Sequence, residues 1–169
     1  MEKETDRKQI FRQVHDRLTE HMTAHAMRKT PERYAVLEAV YTLGGHFTIE
    51  QLDAFMADRH FRVSRATLFN TVHLLIDADL LVRHHFGNAV LYECTFGVKP
   101  HFHSVCTMCG AIKEMADSKL NGMVENMKLP RFRPSHFTLT VYGICGRCRA
   151  KQQRQLSKEN KLSNRHTNE

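Results

Sequence analysis

The feature that most constrains the fold of this chain is a pair of Cys-x-x-Cys motifs, Cys106/Cys109 and Cys145/Cys148. Each motif brings two thiolates within reach of one ion, and two motifs together complete a tetrahedral shell of four sulfurs. The segment between the motifs is long enough to form a strand, a helix from about 118 to 129 and a second strand over 136–142, which returns the second motif to the first. The sequence therefore predicts a small domain with a structural Zn²⁺ ion bound by these four cysteines.

Two other uses of the cysteines stay open at this point. The segment Cys145-Gly-Arg-Cys148 resembles a thiol oxidoreductase motif, although such a motif uses a single pair at the start of a helix and this chain has two pairs. Four thiolates also bind iron in rubredoxin-type centres, and neither ligand softness nor geometry separates that ion from zinc. A rubredoxin-like or thiol-disulfide redox protein is thus the alternative from another functional class.

A second metal site is indicated directly before the first cysteine motif, at His101-Phe-His103. Residues i and i+2 of a strand project to the same face, so both imidazoles can bind one ion. A hairpin centred near Met108 would bring Glu114 almost opposite His103 and add an oxygen ligand. The sequence predicts that His101, His103 and Glu114 share a metal ion.

The residues before Cys94 indicate several helices followed by a hairpin. Apolar residues recur at helical spacing from 6 to 24, and later helix starts are marked by Thr30-Pro31, by the capping box from Thr48 to Gln51 and by Ser64. Two β-rich runs, 80–86 and 89–94, then flank the turn dipeptide Gly87-Asn88. This order is that of a winged helix-turn-helix domain. We expect His84 and His85 on the surface of the wing and the methionines of the chain in the core.

Charge and hydropathy limit the functional classes. The net charge is +7, yet residues 1–90 hold 12 basic and 12 acidic side chains, so the surplus is mainly C-terminal. No apolar run approaches the roughly 20 residues that span a bilayer, and the start of the chain lacks the apolar stretch of a secretory signal. We expect a cytoplasmic protein, where cysteines favour metal binding over disulfides. With no phosphate loop and no Ser/His/Asp arrangement, we do not expect an enzyme.

The combination of these motifs resembles the ferric uptake regulator family of metal-responsive repressors. The resemblance covers about residues 10–148. Thr30-Pro31-Glu32-Arg33 is similar to the first signature of the family's DNA-binding domain, and the segment from Ser64 to Asn70 falls where its recognition helix lies. The spacing His-x-His-x-x-Cys-x-x-Cys, from His101 to Cys109, matches the family without gaps.

The resemblance implies an α+β architecture, in which a winged helix-turn-helix precedes a small α/β dimerisation domain with the four-cysteine zinc site. We expect a DNA-binding domain at 1–94, a linker at 95–100, a dimerisation and metal-binding domain at 101–148, and a basic disordered tail at 149–169. The protein is then a homodimeric repressor of palindromic operators.

The resemblance also implies a regulatory metal site of five residues. These are His46, Glu93, His101, His103 and Glu114. Glu93, where peroxide sensors commonly have Asp, favours plain metal sensing, although neighbouring Cys94 could take its place as a ligand. Three nitrogens and two oxygens suit Fe(II), Mn(II) or Zn(II). We expect an Fe(II) sensor in iron homeostasis, with zinc-, manganese- or haem-responsive members as the alternative.

The predicted DNA-binding residues depart from the family in two places, since Phe69 replaces Tyr and Asn70 replaces Arg. Asn70 could pair with adenine where an Arg would bind guanine or a phosphate, so we expect an altered operator. Arg28 matches a family position that enters the minor groove. The expected set is Arg28, Lys29, Arg33, Arg62, Ser64, Arg65, Thr67, Phe69 and Asn70.

Overall fold

A computed structural model describes residues 2–87, 89–132 and 137–166 of the chain. It divides into two compact units, an N-terminal unit that ends at Lys99 and a C-terminal unit that begins at Pro100. The division lies within the expected linker, 95–100. Among the described helices, none is long and apolar enough to cross a membrane.

The N-terminal unit consists of helices and a small antiparallel sheet. Its elements are α1 (Glu2–Ala24), α2 (Pro31–Leu43), β1 (His46–Phe47), α3 (Ile49–Asp58), α4 (Arg65–Asp77), β2 (Leu81–Phe86) and β3 (Ala89–Cys94). The strand order is β1-β3-β2, so β3 is central. The predicted succession of helices and hairpin is confirmed, except that the turn residue Asn88 lies outside the described residues.

Helix starts in this unit follow the sequence signals. Thr48 and Gln51 form the predicted capping box, in which each side chain bonds the other residue's backbone N–H, at 3.2 and 2.8 Å. The Ser64 hydroxyl accepts from the Thr67 N–H at 3.0 Å. Thr30 occupies the corresponding position before α2, but its side chain makes no capping hydrogen bond.

One hydrophobic core holds the N-terminal unit together. Helix α1 contributes Val14, Leu18 and Met22, all fully buried, and the other three helices and the hairpin add further apolar side chains. The sheet packs beside this core through Phe47 and Tyr92, whose rings stack with centroids 6.0 Å apart. This packing fixes α4 and the β2–β3 hairpin on one rigid body.

The C-terminal unit is a three-stranded sheet with two helices. Its elements are β4 (Phe102–Cys106), β5 (Ile112–Met115), α5 (Ser118–Glu125), β6 (Thr140–Gly143) and α6 (Gly146–His166). The strand order is β5-β4-β6, with β4 antiparallel to β5 and parallel to β6. Helix α5, expected to run from about 118 to 129, ends at Glu125. Of the strand expected over 136–142, residue 136 lies outside the described residues.

Two expectations about the C-terminal unit are wrong. Residues 149–166, expected to be disordered, continue α6, because Ala, Lys, Gln, Arg and Leu all favour helix. The last three residues of the expected tail lie outside the described residues. Methionines expected in the core, such as Met123 and Met127, are exposed, because so small a unit has little interior.

Candidate metal centres and nucleic-acid interface

The four paired cysteines converge on one point of the C-terminal unit. Their sulfurs all lie within 4.8 Å of one another, and the Cys109 and Cys145 sulfurs are 3.8 Å apart. A tetrahedral zinc site with Zn–S bonds of about 2.3 Å has sulfur–sulfur distances of about 3.8 Å. A disulfide requires about 2.05 Å, and all five cysteines are free thiols here. The donor set therefore fits a single tetrahedral metal ion.

The sheet explains how the two motifs meet. Cys106 ends β4 and Cys145 follows β6, and the parallel pairing of these strands places Cys106 beside Gly143. The Thr107 N–H donates to the Gly143 carbonyl at 2.8 Å, which continues the pairing beyond the strand ends. Cys148 lies in the first turn of α6. The site is thus built across the junction of two neighbouring strand ends.

Hydrogen bonds favour the thiolate form of two of the four cysteines, Cys106 and Cys109. The backbone N–H of Cys145, which donates to the Cys106 sulfur at 3.3 Å, and that of Cys109 lower the Cys106 pKa to about 6. The backbone N–H of Ala111 lowers the pKa of Cys109, whose sulfur also accepts from Arg147 at 3.9 Å. Hydrogen bonds to the sulfurs of Cys109 and Cys145 raise the Cys148 pKa to about 12. Cys106 and Cys109 are thus favoured in the thiolate form, which is the form that binds a metal ion.

A second donor cluster surrounds Glu93 in the N-terminal unit. Glu93 is on the central strand β3, directly opposite His46 of β1, and only 5% of its surface is exposed. One carboxylate oxygen, Oε2, lies 3.2 Å from Nε2 of His46 and 2.9 Å from Nε2 of His84. The expected pair His46 and Glu93 is therefore together, and a second histidine belongs to the cluster.

His84 was expected on the wing surface, and the structure corrects that expectation. It is buried on β2, where the register pairs Val82 with Glu93 and so places His84 diagonally across from the carboxylate, on the same face. Its ring stacks on Phe86, with centroids 5.3 Å apart. The strand alternation that groups Val82, His84 and Phe86 on one face was the available sequence signal.

Cys94 points away from this cluster. Next along β3 after Glu93, it lies in the hydrophobic core, and its sulfur donates to the Val40 carbonyl at 3.7 Å. Burial raises the Cys94 pKa to about 12, and the nearby Glu93 carboxylate adds to this shift. A neutral thiol that faces the core is a poor metal ligand. The geometry thus argues against Cys94 replacing Glu93.

The C-terminal unit holds a third set of donors. The Nε2 atoms of His101 and His103 are 3.2 Å apart, with their rings at 80° to each other. Glu114 is paired with His103 in the β4–β5 register, so the predicted pairing is confirmed. His103 is buried, whereas Glu114 is exposed. Two converging imidazole nitrogens beside a carboxylate are typical of a site for a divalent transition metal.

Helix α4 presents the expected nucleic-acid residues with unequal exposure. Arg65 and Asn70 are exposed, whereas Phe69 is half-buried against the core beneath the Arg65 guanidinium. The Thr67 hydroxyl is 2.8 Å from that of Ser64, so both residues serve the start of the helix. His73, one turn beyond Asn70 on the same face, is exposed and was missed by sequence reasoning, although its spacing from Asn70 was a signal.

The other expected basic residues lie in loops and at helix ends. Arg28 and Lys29 are exposed between α1 and α2, and Arg62 is exposed before α4. Arg33 is instead half-buried, and its guanidinium donates to the Arg28 carbonyl at 2.6 Å. Arg33 therefore holds the loop that carries Arg28.

The comparisons with known proteins agree with this arrangement. The profile described as the Ferric uptake regulator family matches residues 24–142. The chain is 28% identical to the peroxide operon regulator of Bacillus subtilis (strain 168) over 130 residues, 75% of this chain and 87% of that protein. It is 26% identical to the ferric uptake regulation protein of the same strain over 142 residues, 81% and 95% of the two chains.

A solved structure has the same fold. It is that of the ferric uptake regulator from Pseudomonas aeruginosa with manganese, which superimposes with a TM-score of 0.62 at 21% identity. The match covers 76% of this chain and 97% of that one.

Proposed function

Because this chain belongs to the Ferric uptake regulator family, we propose that it is an Fe(II)-responsive repressor of genes for iron homeostasis. Proteins of this family are metal-dependent transcription regulators, not enzymes, and they bind DNA as dimers. The choice of Fe(II), the roles of individual residues and the palindromic operator are parts of the proposal.

The observation that carries the proposal is that each unit holds a preformed set of metal donors. His46 and Glu93 are in contact within the N-terminal unit, and the His101 and His103 nitrogens converge within the C-terminal unit, with Glu114 paired to His103. Neither set alone supplies the five ligands that the family resemblance implies. We propose that both sets bind one regulatory ion.

These residues would couple metal binding to DNA binding. When His46 and Glu93 share an ion with the histidines of the C-terminal unit, the two units are held in one arrangement. The bound ion supplies the positive charge that holds the carboxylates and imidazoles together. Metal binding raises DNA affinity if this arrangement of the units matches the operator and binds the ion more tightly than other arrangements do.

The cysteine site has a different role in the proposal. Cys106, Cys109, Cys145 and Cys148 would bind a structural Zn²⁺ ion that stabilises the C-terminal unit. The apolar side chains exposed on that unit, among them Met115, Val141 and Ile144, would be covered by the second copy of the chain. Zinc site and dimer interface thus stabilise the same small unit.

Helix α4 would be the recognition helix. Arg65 and Asn70 are exposed on it and available to bases or phosphates, and Arg28, Lys29 and Arg62 would bind phosphates or the minor groove. A dimer places two such helices on half-sites about 34 Å apart, which corresponds to a palindrome. Ser64, Thr67 and Arg33 would act mainly by holding these elements in place.

The choice between metal sensing and peroxide sensing rests on Glu93. Under the family resemblance, Glu at this position favours metal sensing, although a peroxide operon regulator is among the similar proteins. Manganese accompanies a relative of the same fold, and zinc or haem responses are further outcomes of the test below. The cytoplasmic location stays a prediction.

The proposal is tested with zinc-loaded protein under anaerobic conditions. A DNA duplex is first selected from a random library in the presence of Mn(II), which mimics Fe(II). Binding is then titrated with Fe(II), Mn(II), Zn(II) and haem in parallel, with a hydrogen peroxide challenge of the Fe(II) complex. We expect micromolar Fe(II) to support binding, and peroxide to leave affinity unchanged once Fe(II) is replenished. A response limited to zinc or haem contradicts the choice of Fe(II).

A further inference from the structure

We propose that His84 is a positioning residue that orients the Glu93 carboxylate for the regulatory metal ion and links the wing strand β2 to that site. The inference rests on the proposed regulatory site. His84 is not among the ligands that the family resemblance implies, and the structure alone brings it to Glu93.

Glu93 occupies the middle of the three-stranded sheet of the N-terminal unit. It lies on the central strand β3, between His46 on one edge strand and His84 on the other. Both Nε2 atoms contact the same oxygen, Oε2, at 3.2 and 2.9 Å. All three strands of the sheet therefore meet at a single carboxylate oxygen.

The hydrogen bond between His84 and Glu93 has one direction when the carboxylate is ionised: the carboxylate can only accept, so Nε2 of His84 is then the donor. A nitrogen that carries a proton cannot bind a metal ion at the same time. While this bond persists, His84 acts on the metal through Glu93 and not as a ligand.

His84 differs in burial and in ring stacking from His46, which contacts the same oxygen. The His84 side chain is 4% exposed and that of His46 is 12% exposed. The His84 ring is nearly parallel to Phe86, at 7°, whereas the His46 ring is tilted by 59° from the same ring. Burial and stacking fix His84, while His46 has the more accessible ring and can exchange its contact with Glu93 for a metal bond.

The consequence is a cost in metal affinity when His84 is lost. Hydrogen-bond partners that orient metal ligands typically contribute a factor of about 10–100 to metal affinity. Without His84, the buried Glu93 carboxylate loses the 2.9 Å contact that orients Oε2 and can rotate away from the ion. The effect should be larger on binding of the regulatory ion than on the zinc held by cysteines.

The test uses full-length zinc-loaded protein with Co(II) as the probe, because Co(II) reports both affinity and ligand set through its visible absorption. Three variants are compared with the unaltered protein: His84→Leu, His84→Gln and His85→Gln. The Gln amide can donate from nearly the place of Nε2, and His85 is the exposed neighbour on β2. Circular dichroism and zinc content are measured on each variant.

We expect His84→Leu to weaken Co(II) binding about 10–100-fold, His84→Gln to restore most of the affinity, and His85→Gln to change nothing. The wavelengths of the Co(II) bands should be the same in all four proteins.

Four outcomes overturn the inference in distinguishable ways. If the unaltered protein binds no Co(II) beyond the cysteine site, the proposed function fails as well. If it binds Co(II) and His84→Leu binds equally tightly, only the role of His84 is wrong. If His84→Gln shifts the Co(II) bands, His84 is itself a ligand and not a positioning residue. If both His84 variants lose affinity and also lose helical signal, the role of His84 is structural and the inference is again overturned.

Discussion

The two units of this molecule are stabilised in different ways. The N-terminal unit buries apolar side chains from four helices and a hairpin in one core. In the described part of the C-terminal unit, only Val105 and Cys106 are buried hydrophobic residues, while Met123, Phe132 and Tyr142 are more than half exposed. One unit has the interior of an independent domain and the other does not.

In the proposed function, this difference separates the structural metal site from the regulatory one. Domains too small to form a sufficient core commonly depend on metals or on oligomerisation. The four cysteines all lie in the C-terminal unit, which lacks a core of its own. In the proposed function, the N-terminal unit contributes to metal binding through His46 and Glu93, which lie on the sheet of a unit that has its own core. Its metal donors are thus available for regulation.

The largest difference between the two units is expected when one zinc ligand is removed. We expect Cys109→Ser to lose the tightly bound zinc and to unfold the C-terminal unit, since a structural zinc contributes about 10–16 kcal/mol of binding free energy. The N-terminal unit should keep its helices. Zinc analysis, sedimentation and NMR spectra measure these effects.

The fifth cysteine provides the matched control for that experiment. Cys94 lies in the core of the N-terminal unit, so Cys94→Ser should leave the zinc content and the dimer unchanged. A Cys109→Ser protein with normal zinc content and an intact dimer would contradict the structural role of the site.

The converse experiment removes a core side chain of the N-terminal unit. Leu52 is fully buried, so Leu52→Ala should lower that unit's free energy of unfolding by about 2–5 kcal/mol. Zinc content should not change. Leu156→Ala, at an exposed leucine of α6, is the control and should have no measurable effect in urea denaturation. Equal effects of the two substitutions would mean that the units do not differ as described.

A third experiment separates the exposed apolar surfaces of the two units. Val141 of β6 and Val90 of β3 are both exposed strand valines, at 49% and 37%. Val141→Lys should weaken the dimer about tenfold or more, because a buried charge at the interface costs more than about 1.4 kcal/mol. Val90→Lys should leave dimerisation unchanged. Sedimentation equilibrium measures the dimer dissociation constants of the two variants. Equal dissociation constants would mean that the dimer interface does not include Val141.

The smallest predicted effect concerns helix caps within the N-terminal unit. Thr48→Ala removes a capping hydrogen bond and should cost about 1 kcal/mol of that unit's stability. Thr30→Ala, at a helix start whose side chain makes no capping bond, should cost distinctly less. Urea denaturation followed by circular dichroism compares the two, and a larger loss for Thr30→Ala would contradict the assigned caps.

The sequence predicted those features that depend on local chemistry. The helix starts at Thr48 and Ser64 follow from side chains that bond backbone groups three residues away. The convergence of the cysteines and the pairing of His103 with Glu114 follow from short turns with few alternatives.

Features that depend on long-range packing could not be predicted. The burial of His84 requires knowing that β3 is the central strand, and β1 is only two residues long, too short for any periodic pattern. Helix α6 continues without an apolar face, so hydrophobic periodicity gave no signal for it.

In the proposed function, His101 and His103 make DNA binding depend on a metal ion other than the structural zinc. The most direct measurement is fluorescence anisotropy of the selected DNA duplex, titrated with Mn(II), for the zinc-loaded protein and its His101→Ala/His103→Ala variant. We expect Mn(II) to raise the DNA affinity of the unaltered protein. Mn(II) should not change the DNA affinity of the variant, which should still bind zinc and dimerise. If the variant keeps the same dependence of DNA affinity on Mn(II), the assignment of His101 and His103 to the regulatory site is wrong.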